Sequence, residues 1–333
     1  MTPDARNGTG PDLAARAVSD AAARLVAAVG EVVVGAETVT EQLFAALLVG
    51  GHVLLDDVPG VGKTTLARAI ADRLDLTFRR IQCTPDLVPS DVTGVSIYDE
   101  RSGRFEYRPG PLMANVVLVD EINRATPRAQ SSLLEAMQEG QITVDETTHR
   151  LPDPFFLLAT QNPIELEGTF PLPEAQLDRF LFLLNLGYPD AAGEDRILQL
   201  HGATTADAAA VAPMLDREAI AMLRAAVRGV RVGEAVRGYI VAIARATRVI
   251  PGIELGASPR AAVALFRAAQ AHAAIRGRDH VLPDDVKAQA PAVLRHRLFL
   301  DAEAQMRGRT TGAVIGEVLA AVPVPAEESR PTA

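Results

Sequence analysis

The sequence predicts an α/β core built on a parallel sheet, followed by an all-helical domain. Three observations carry that expectation. Short apolar runs alternate with amphipathic stretches from about residue 32 to residue 186. Turn residues bound those runs, which is the pattern of strands buried on both faces of a parallel sheet. After Gly187-Tyr188-Pro189 the runs stop and apolar residues recur at helical spacing. The expected layout is a disordered tail over 1–15, a core over 16–187, a helical domain over 188–322 and a second disordered tail over 323–333.

The 333 residues suffice for about two domains at roughly 150 residues each. Hydrophobic residues make up 48% and charged residues 23%, a globular balance. Lys and Arg number 33 against 42 Asp and Glu, so the net charge is −9. That balance argues against a protein that coats phosphate backbones, which would usually be basic. The single cysteine, Cys83, excludes an intramolecular disulfide and a zinc site of several thiolates, and fits a reducing compartment. No run approaches the roughly 18 apolar residues of a membrane span. The first eleven residues lack the apolar stretch of a signal peptide. A cytoplasmic protein with no membrane span is therefore expected.

Taken in order, the elements begin with a tail carrying Pro3, Gly8, Gly10 and Pro11 and no hydrophobic period. The run 52–55 then leads into Asp57-Val58-Pro59-Gly60-Val61-Gly62-Lys63-Thr64-Thr65. Leu66, Ile70 and Leu74 mark the helix that follows. Strand, glycine loop and helix are the context a P-loop requires. Gly60 and Gly62 let the backbone turn its N–H groups inward, and the helix N-terminus adds positive potential. Lys63 would face the β- and γ-phosphates, and the Thr64 hydroxyl would ligate Mg2+. Asp57 stands where the strict pattern begins with Gly.

Run 78–81 is a weaker strand, interrupted by Arg79 and Arg80. Segments 94–98 and 104–107 flank a turn with Gly103 and read as a hairpin. Run 116–119 ends in Asp120 and Glu121, where α/β sheets keep their ligands. Asp120 would hold Mg2+ through water, and Glu121 would act as general base toward an attacking water. Segments 141–145 and 148–151 form a second hairpin about a turn at 146–147. Run 155–159 ends in Thr160-Gln161-Asn162-Pro163. A neutral amide at Asn162 could bond both a γ-phosphate and a lytic water, although Asn-Pro is also a common turn pair. Run 180–184 is the last strand. His52 is read as structural, and no histidine pair shows metal-ligand spacing.

A transferring phosphoryl group needs cations beyond Lys63. Arg179 ends a helix just before the last strand. Arg260 lies in the first turn of a helix capped by Ser258, with Pro259 at the first helical position. A cation there opposes the helix dipole, which suggests a task elsewhere. The competing reading of each arginine is a surface ion pair.

These motifs together resemble the MoxR family of AAA+ ATPases. The similarity rests on 58–64, Val119-Asp120-Glu121-Ile122-Asn123-Arg124, Thr160-Gln161-Asn162-Pro163, 173–180 and Gly256-Ala257-Ser258-Pro259-Arg260, and it covers roughly 27–318. The resemblance implies an α/β ATPase core with a C-terminal helical lid and two hairpin inserts that touch clients. It implies Lys63 and Thr64 as Walker A, Asp120 and Glu121 as Walker B, and Asn162 as sensor 1. It further implies Arg179 as an arginine finger given to a neighbouring subunit and Arg260 as sensor 2. Val33, Val34 and Gly35 match the segment that lines the adenine, and Gln82 a residue that restrains the catalytic glutamate. ATP and Mg2+ are the implied cofactors. The implied assembly is a homo-oligomer, a hexameric ring acting on protein clients, among them proteins with von Willebrand factor A domains. A metal-chelatase-like motor subunit is the alternative. A nucleic-acid motor fits less well, given the net charge and the absence of an appended DNA-binding domain, and a low-turnover switch conflicts with Glu121.

Overall fold

The computed structural model of the chain describes residues 10–58, 60–162, 168–202 and 212–325. Pro59, Pro163, most of the first expected tail and the last eight residues of the second lie outside them. The chain divides into two compact units. One takes residues 24–220, and the other joins the chain up to Ala23 to the chain from Ala221. These cuts fall inside helices, between Ala23 and Arg24 and between Ile220 and Ala221, rather than at the expected boundary at 187/188.

In chain order the elements run α1 (Gly10–Gly30), α2 (Glu37–Val49), β1 (Val53–Asp56), α3 (Lys63–Arg73), β2 (Phe78–Gln82) and α4 (Pro89–Thr93). Next come β3 (Gly94–Asp99), β4 (Arg104–Pro109), β5 (Val116–Asp120), α5 (Pro127–Glu139), β6 (Gln141–Val144) and β7 (Thr147–Arg150). Then follow β8 (Phe156–Gln161), α6 (Glu174–Leu177), β9 (Phe182–Leu184), α7 (Ala191–Gly202) and α8 (Arg217–Arg228). The remaining elements are α9 (Glu234–Ala246), β10 (Ile253–Leu255), α10 (Pro259–Ile275), α11 (Pro283–Leu294), β11 (Phe299–Leu300), α12 (Ala302–Met306) and α13 (Thr311–Ala321).

The five expected strands form one parallel sheet in the order β2-β5-β8-β1-β9. Its core strands are apolar up to their C-terminal ends. Leu54, Val117, Val119, Leu157 and Ala159 pack with Leu133, Leu134 and Phe180 into one buried cluster. Polar Arg79 and Arg80 are tolerated because β2 is an edge strand, exposed at both positions. His52 is buried just before β1. Its Nε2 donates to the Met137 carbonyl at 3.0 Å, and its Nδ1 accepts from the Leu157 N–H at 3.1 Å. That fixes a neutral ring, and burial, only partly opposed by the bond to Met137, pushes its pKa down to about 4. Its structural reading holds.

Both hairpins form. Tyr107 of β4 stacks on His149 of β7 with ring centroids 3.9 Å apart, tying the two together. The second turn is shifted by one residue from its expected place. It consists of Asp145 and Glu146, both at positive φ (47° and 67°), with Val144 opposite Thr147. This is a two-residue type I′ geometry without its usual Asn or Gly, which is why residue type mislocated it.

Two expectations for the ends and the second domain are corrected. Residues 10–15 belong to α1 rather than to a disordered tail. Ala15, Val18, Ala22, Leu25 and Val29 form its buried stripe, and the alanine that begins it is too small to stand out in the sequence. The second domain is not all-helical, because β10 and β11 pair antiparallel. Strands of three and two residues are too short to show a period of two. In that unit α9, α10, α11 and α13 pack together. The expected stripe residues Ile220, Leu223, Val236, Ile240, Leu265, Val286 and Leu294 are buried.

Candidate functional site

Parallel strands bring their C-terminal ends to one side, and the loops leaving β1, β5 and β8 meet there. They bound a cleft of about 340 Å³ lined by Gly60, Gly62, Lys63, Thr64 and Thr65, by Asp120 and Glu121, and by Thr160, Gln161 and Asn162. Arg80 and Gln82 of β2 complete the wall. The strand bearing Asn162 lies directly beside the strand bearing Asp120, as the sequence reading required.

The loop has the backbone that its glycines permit. Gly60 has φ 89° and Gly62 φ 88°, a region costly to side-chain-bearing residues. Gly62 caps α3, so the N–H groups of the first turn open toward the cleft. Lys63 Nζ donates to the carbonyls of Asp57 at 2.8 Å and Val58 at 3.1 Å. Partial burial lowers its pKa, while Asp57, Asp120, Glu121 and Asp56 act against that shift. Asp57 is buried and accepts from the backbone N–H of Leu186 at 2.6 Å and of Gly187 at 3.1 Å. The departure from the glycine pattern is thus an anchor between the loop and the chain after β9. Val33 lies against the loop, its Cγ1 4.0 Å from where a β-carbon on Gly62 would stand. Val34 contacts Gly193 in the first turn of α7 in the same sense, and Gly35 has φ 76°.

At the end of β5 two carboxylates stand in a web of donors. Thr160, 1% exposed, donates its hydroxyl to Asp120 Oδ1 at 3.3 Å and accepts from the Glu121 N–H at 2.9 Å. Arg80 Nε donates to Asp120 Oδ2 at 2.6 Å. Glu121 Oε2 accepts from Gln82 Nε2 at 3.0 Å and from Arg124 Nη1 at 3.1 Å. Glu121 itself sits at φ 56° and ψ 50°, a left-handed backbone that costs a non-glycine residue of order 1 kcal/mol or more. Asn162 is buried and lines the same cleft.

Arg179 is not among the residues that line this cleft. Arg179 lines a second cleft of about 530 Å³ between α5, β6 and α6, with Glu135, Glu139 and Gln176. Its Nη1 donates to the Leu134 carbonyl at 3.1 Å, and its buried Nε has no partner among the described residues. Arg260 belongs to the other unit. It is exposed in the first turn of α10, whose cap is as expected, with Ser258 Oγ accepting from the Ala261 N–H at 3.2 Å. No ion pair of Arg260 with Glu254 forms. Sequence reading missed Arg80, Thr160 and Arg124 as site residues. Arg80 shares one face of β2 with Gln82, two residues on, but its reach to Asp120 depends on the pairing of β2 with β5.

A glycine loop between strand and helix, with its lysine facing an Asp-Glu pair across the sheet, defines a P-loop nucleotide-binding fold with a helical second domain. Family models agree with that description. Residues 52–182 match the ATPase family associated with various cellular activities, and residues 245–318 match the AAA lid domain. Among curated relatives, the uncharacterized protein YeaC of Bacillus subtilis is 50% identical over 90% of this chain and 94% of its own. Chaperone MoxR1 of Mycobacterium tuberculosis is 42% identical over 91% of this chain and 82% of its own. A crystal structure of a putative ATPase from Cytophaga hutchinsonii superposes with a TM-score of 0.88 at 38% identity, covering 94% of this chain and 98% of that one. The chain belongs to the MoxR family of AAA+ ATPases. Among the described residues no helix is long and apolar enough to cross a membrane.

Proposed function

We propose that the chain hydrolyses ATP to ADP and phosphate in a Mg2+-dependent cycle within a hexameric ring, and uses that cycle to remodel or mature partner proteins. The convergence of Lys63, Asp120, Glu121 and Asn162 on one cleft carries this reading. Gly60, Val61, Gly62 and Thr65 offer backbone N–H groups to the phosphates, and Lys63 supplies a fixed charge. Val33, Val34 and Gly35 flank the loop where a base would lie. The hard oxygens of Thr64 and Asp120 suit Mg2+, which typically takes one or two protein ligands beside phosphate oxygens. When bound, Mg2+ neutralises charge that develops on the phosphates. Glu121 takes the proton of the attacking water, and the Asn162 amide orients that water without competing for the proton.

Arg179 faces a cleft other than the one that holds Lys63, and this supports its use by a neighbouring subunit. An arginine given in trans can be worth on the order of 10³–10⁵ in rate. Arg260, on the helical unit, would report the γ-phosphate to the lid. The remodelling role draws on the chaperone relative and on hairpin β3–β4, where Val95, Ile97, Tyr98 and Phe105 are exposed. The test is twofold. Lys63→Ala should lose tight ATP binding, and Arg179→Ala should bind ATP but turn it over poorly. Mixed rings of the two variants should regain activity, because one keeps a sound arginine and the other a sound pocket. Tight ATP binding by Lys63→Ala would overturn the site. Absence of rescue in demonstrably co-assembled rings would overturn the trans role.

A further inference from the structure

Arg80 has no place in the scheme above, yet it touches the scheme's two carboxylates, one directly and one through a relay. Its Nε donates to Asp120 Oδ2 at 2.6 Å and its Nη2 to Gln82 Oε1 at 2.8 Å. Gln82 passes the link on, donating to Glu121 Oε2 at 3.0 Å. The Arg80 side chain is 50% exposed, whereas that of Asp120 is 9% exposed. Packing therefore does not explain the arginine. The guanidinium stands at the solvent edge of the cleft, where salt screens its charge, and a chain buries no apolar surface by keeping it here.

We infer that Arg80 is a positioning residue that competes with Mg2+ for Asp120, and so sets the metal concentration at which the site assembles. The inference rests on reading the cleft as an ATP site. Asp120 Oδ1 is already engaged by Thr160, so Oδ2, held by Arg80, is the oxygen at issue. A guanidinium and a divalent cation sharing one carboxylate repel each other. At about 6 Å with water-like screening, that repulsion amounts to about a tenfold loss of metal affinity. The relay adds a consequence. When Asp120 passes to the cation, Arg80 loses its main anchor, and its hold on Gln82 weakens. Gln82 is then free to let go of Glu121, so entry of the metal and release of the base are coupled.

Mn2+ can stand in for Mg2+, and electron paramagnetic resonance counts the bound ion directly. The full chain would be titrated with Mn2+ in saturating ADP, comparing wild type, Arg80→Gln and Arg80→Lys. Arg80→Gln should reach half-saturation at about tenfold lower Mn2+. Arg80→Lys keeps the charge and should stay near wild type. An unchanged or raised half-saturation in Arg80→Gln would overturn the inference. ADP affinity in EDTA separates another outcome, because a loss there would make Arg80 a phosphate ligand and also sink the competition. Failure of the wild type to bind ADP at all would instead refute the assignment of the cleft itself.

Discussion

Asp285 in the helical unit and the Asp120-Glu121 pair at the end of β5 are both carboxylate sites surrounded by donors, and they differ in whether those donors can leave. Asp285 is 1% exposed. Its Oδ1 accepts from His272 at 2.6 Å and Arg278 at 2.5 Å, and its Oδ2 from Arg278 at 2.7 Å and the Leu282 N–H at 2.8 Å. Burial alone would raise its pKa. The bonds from Arg278, His272 and Leu282 and the charge of Arg278 outweigh that and hold it at about 2. Every oxygen is saturated by neighbours in one helix junction. At β5 the partners Arg80 and Arg124 are 50% and 40% exposed. Glu121 is also held in a strained backbone. A saturated, enclosed acid stabilises a fold. An acid with detachable partners and stored strain can take on a metal or a proton.

The comparison can be broken first at its closed end. Asp285→Ala removes one partner of a buried charge cluster and should cost about 3–5 kcal/mol of stability. ADP affinity, measured below the lowered melting temperature, should not change. A variant that melts like wild type would mean that the cluster is not what holds α10 to α11.

A second test uses pH. His52 has a folded pKa near 4 against an unfolded value of 6.5. Its depressed pKa means that the unfolded chain binds the extra proton first as pH falls. Its contribution is complete above pH 6.5 and drains away between 6.5 and 4, by about 3 kcal/mol. Asp285 adds a further loss only below its ordinary range, from about 3.8 toward 2. Denaturant titrations at pH 7.5 and pH 4.5 should show the first loss in wild type and a smaller one in His52→Gln. Equal losses in both would remove His52 from the account.

The smallest effect sharpens the open end. Thr160→Val leaves the part-buried Glu121 N–H without its 2.9 Å acceptor, a cost of about 1 kcal/mol. Thermal denaturation of this variant beside wild type would show it. No shift would mean that Thr160 does not fix the strained turn.

How much of this could be read beforehand follows from how tightly each feature constrains residue type. The loop at 57–65 was legible because positive φ demands glycine, phosphate demands lysine, and a strand must precede and a helix follow. Asp120 and Glu121 were legible because four apolar residues place them at a strand end. The start of α1 was not, since its buried face includes alanines that read as neutral. Nor was the turn at Asp145-Glu146, where the residues carry a conformation their types disfavour. Arg80 showed itself only as an interruption of a strand. Its task depends on register, which sets Arg80 opposite Leu118 and Gln82 opposite Asp120. Side-chain reach from that register could not be read from β2 alone.

The central claim is that Glu121 is a general base freed from its partners, not a structural acid like Asp285. The most direct measurement compares ATP affinity and single-turnover hydrolysis in wild type and Glu121→Gln. The account predicts retained affinity and a rate lower by about 10²–10⁴-fold, because an amide cannot accept the proton. Equal rates in the two proteins would contradict it.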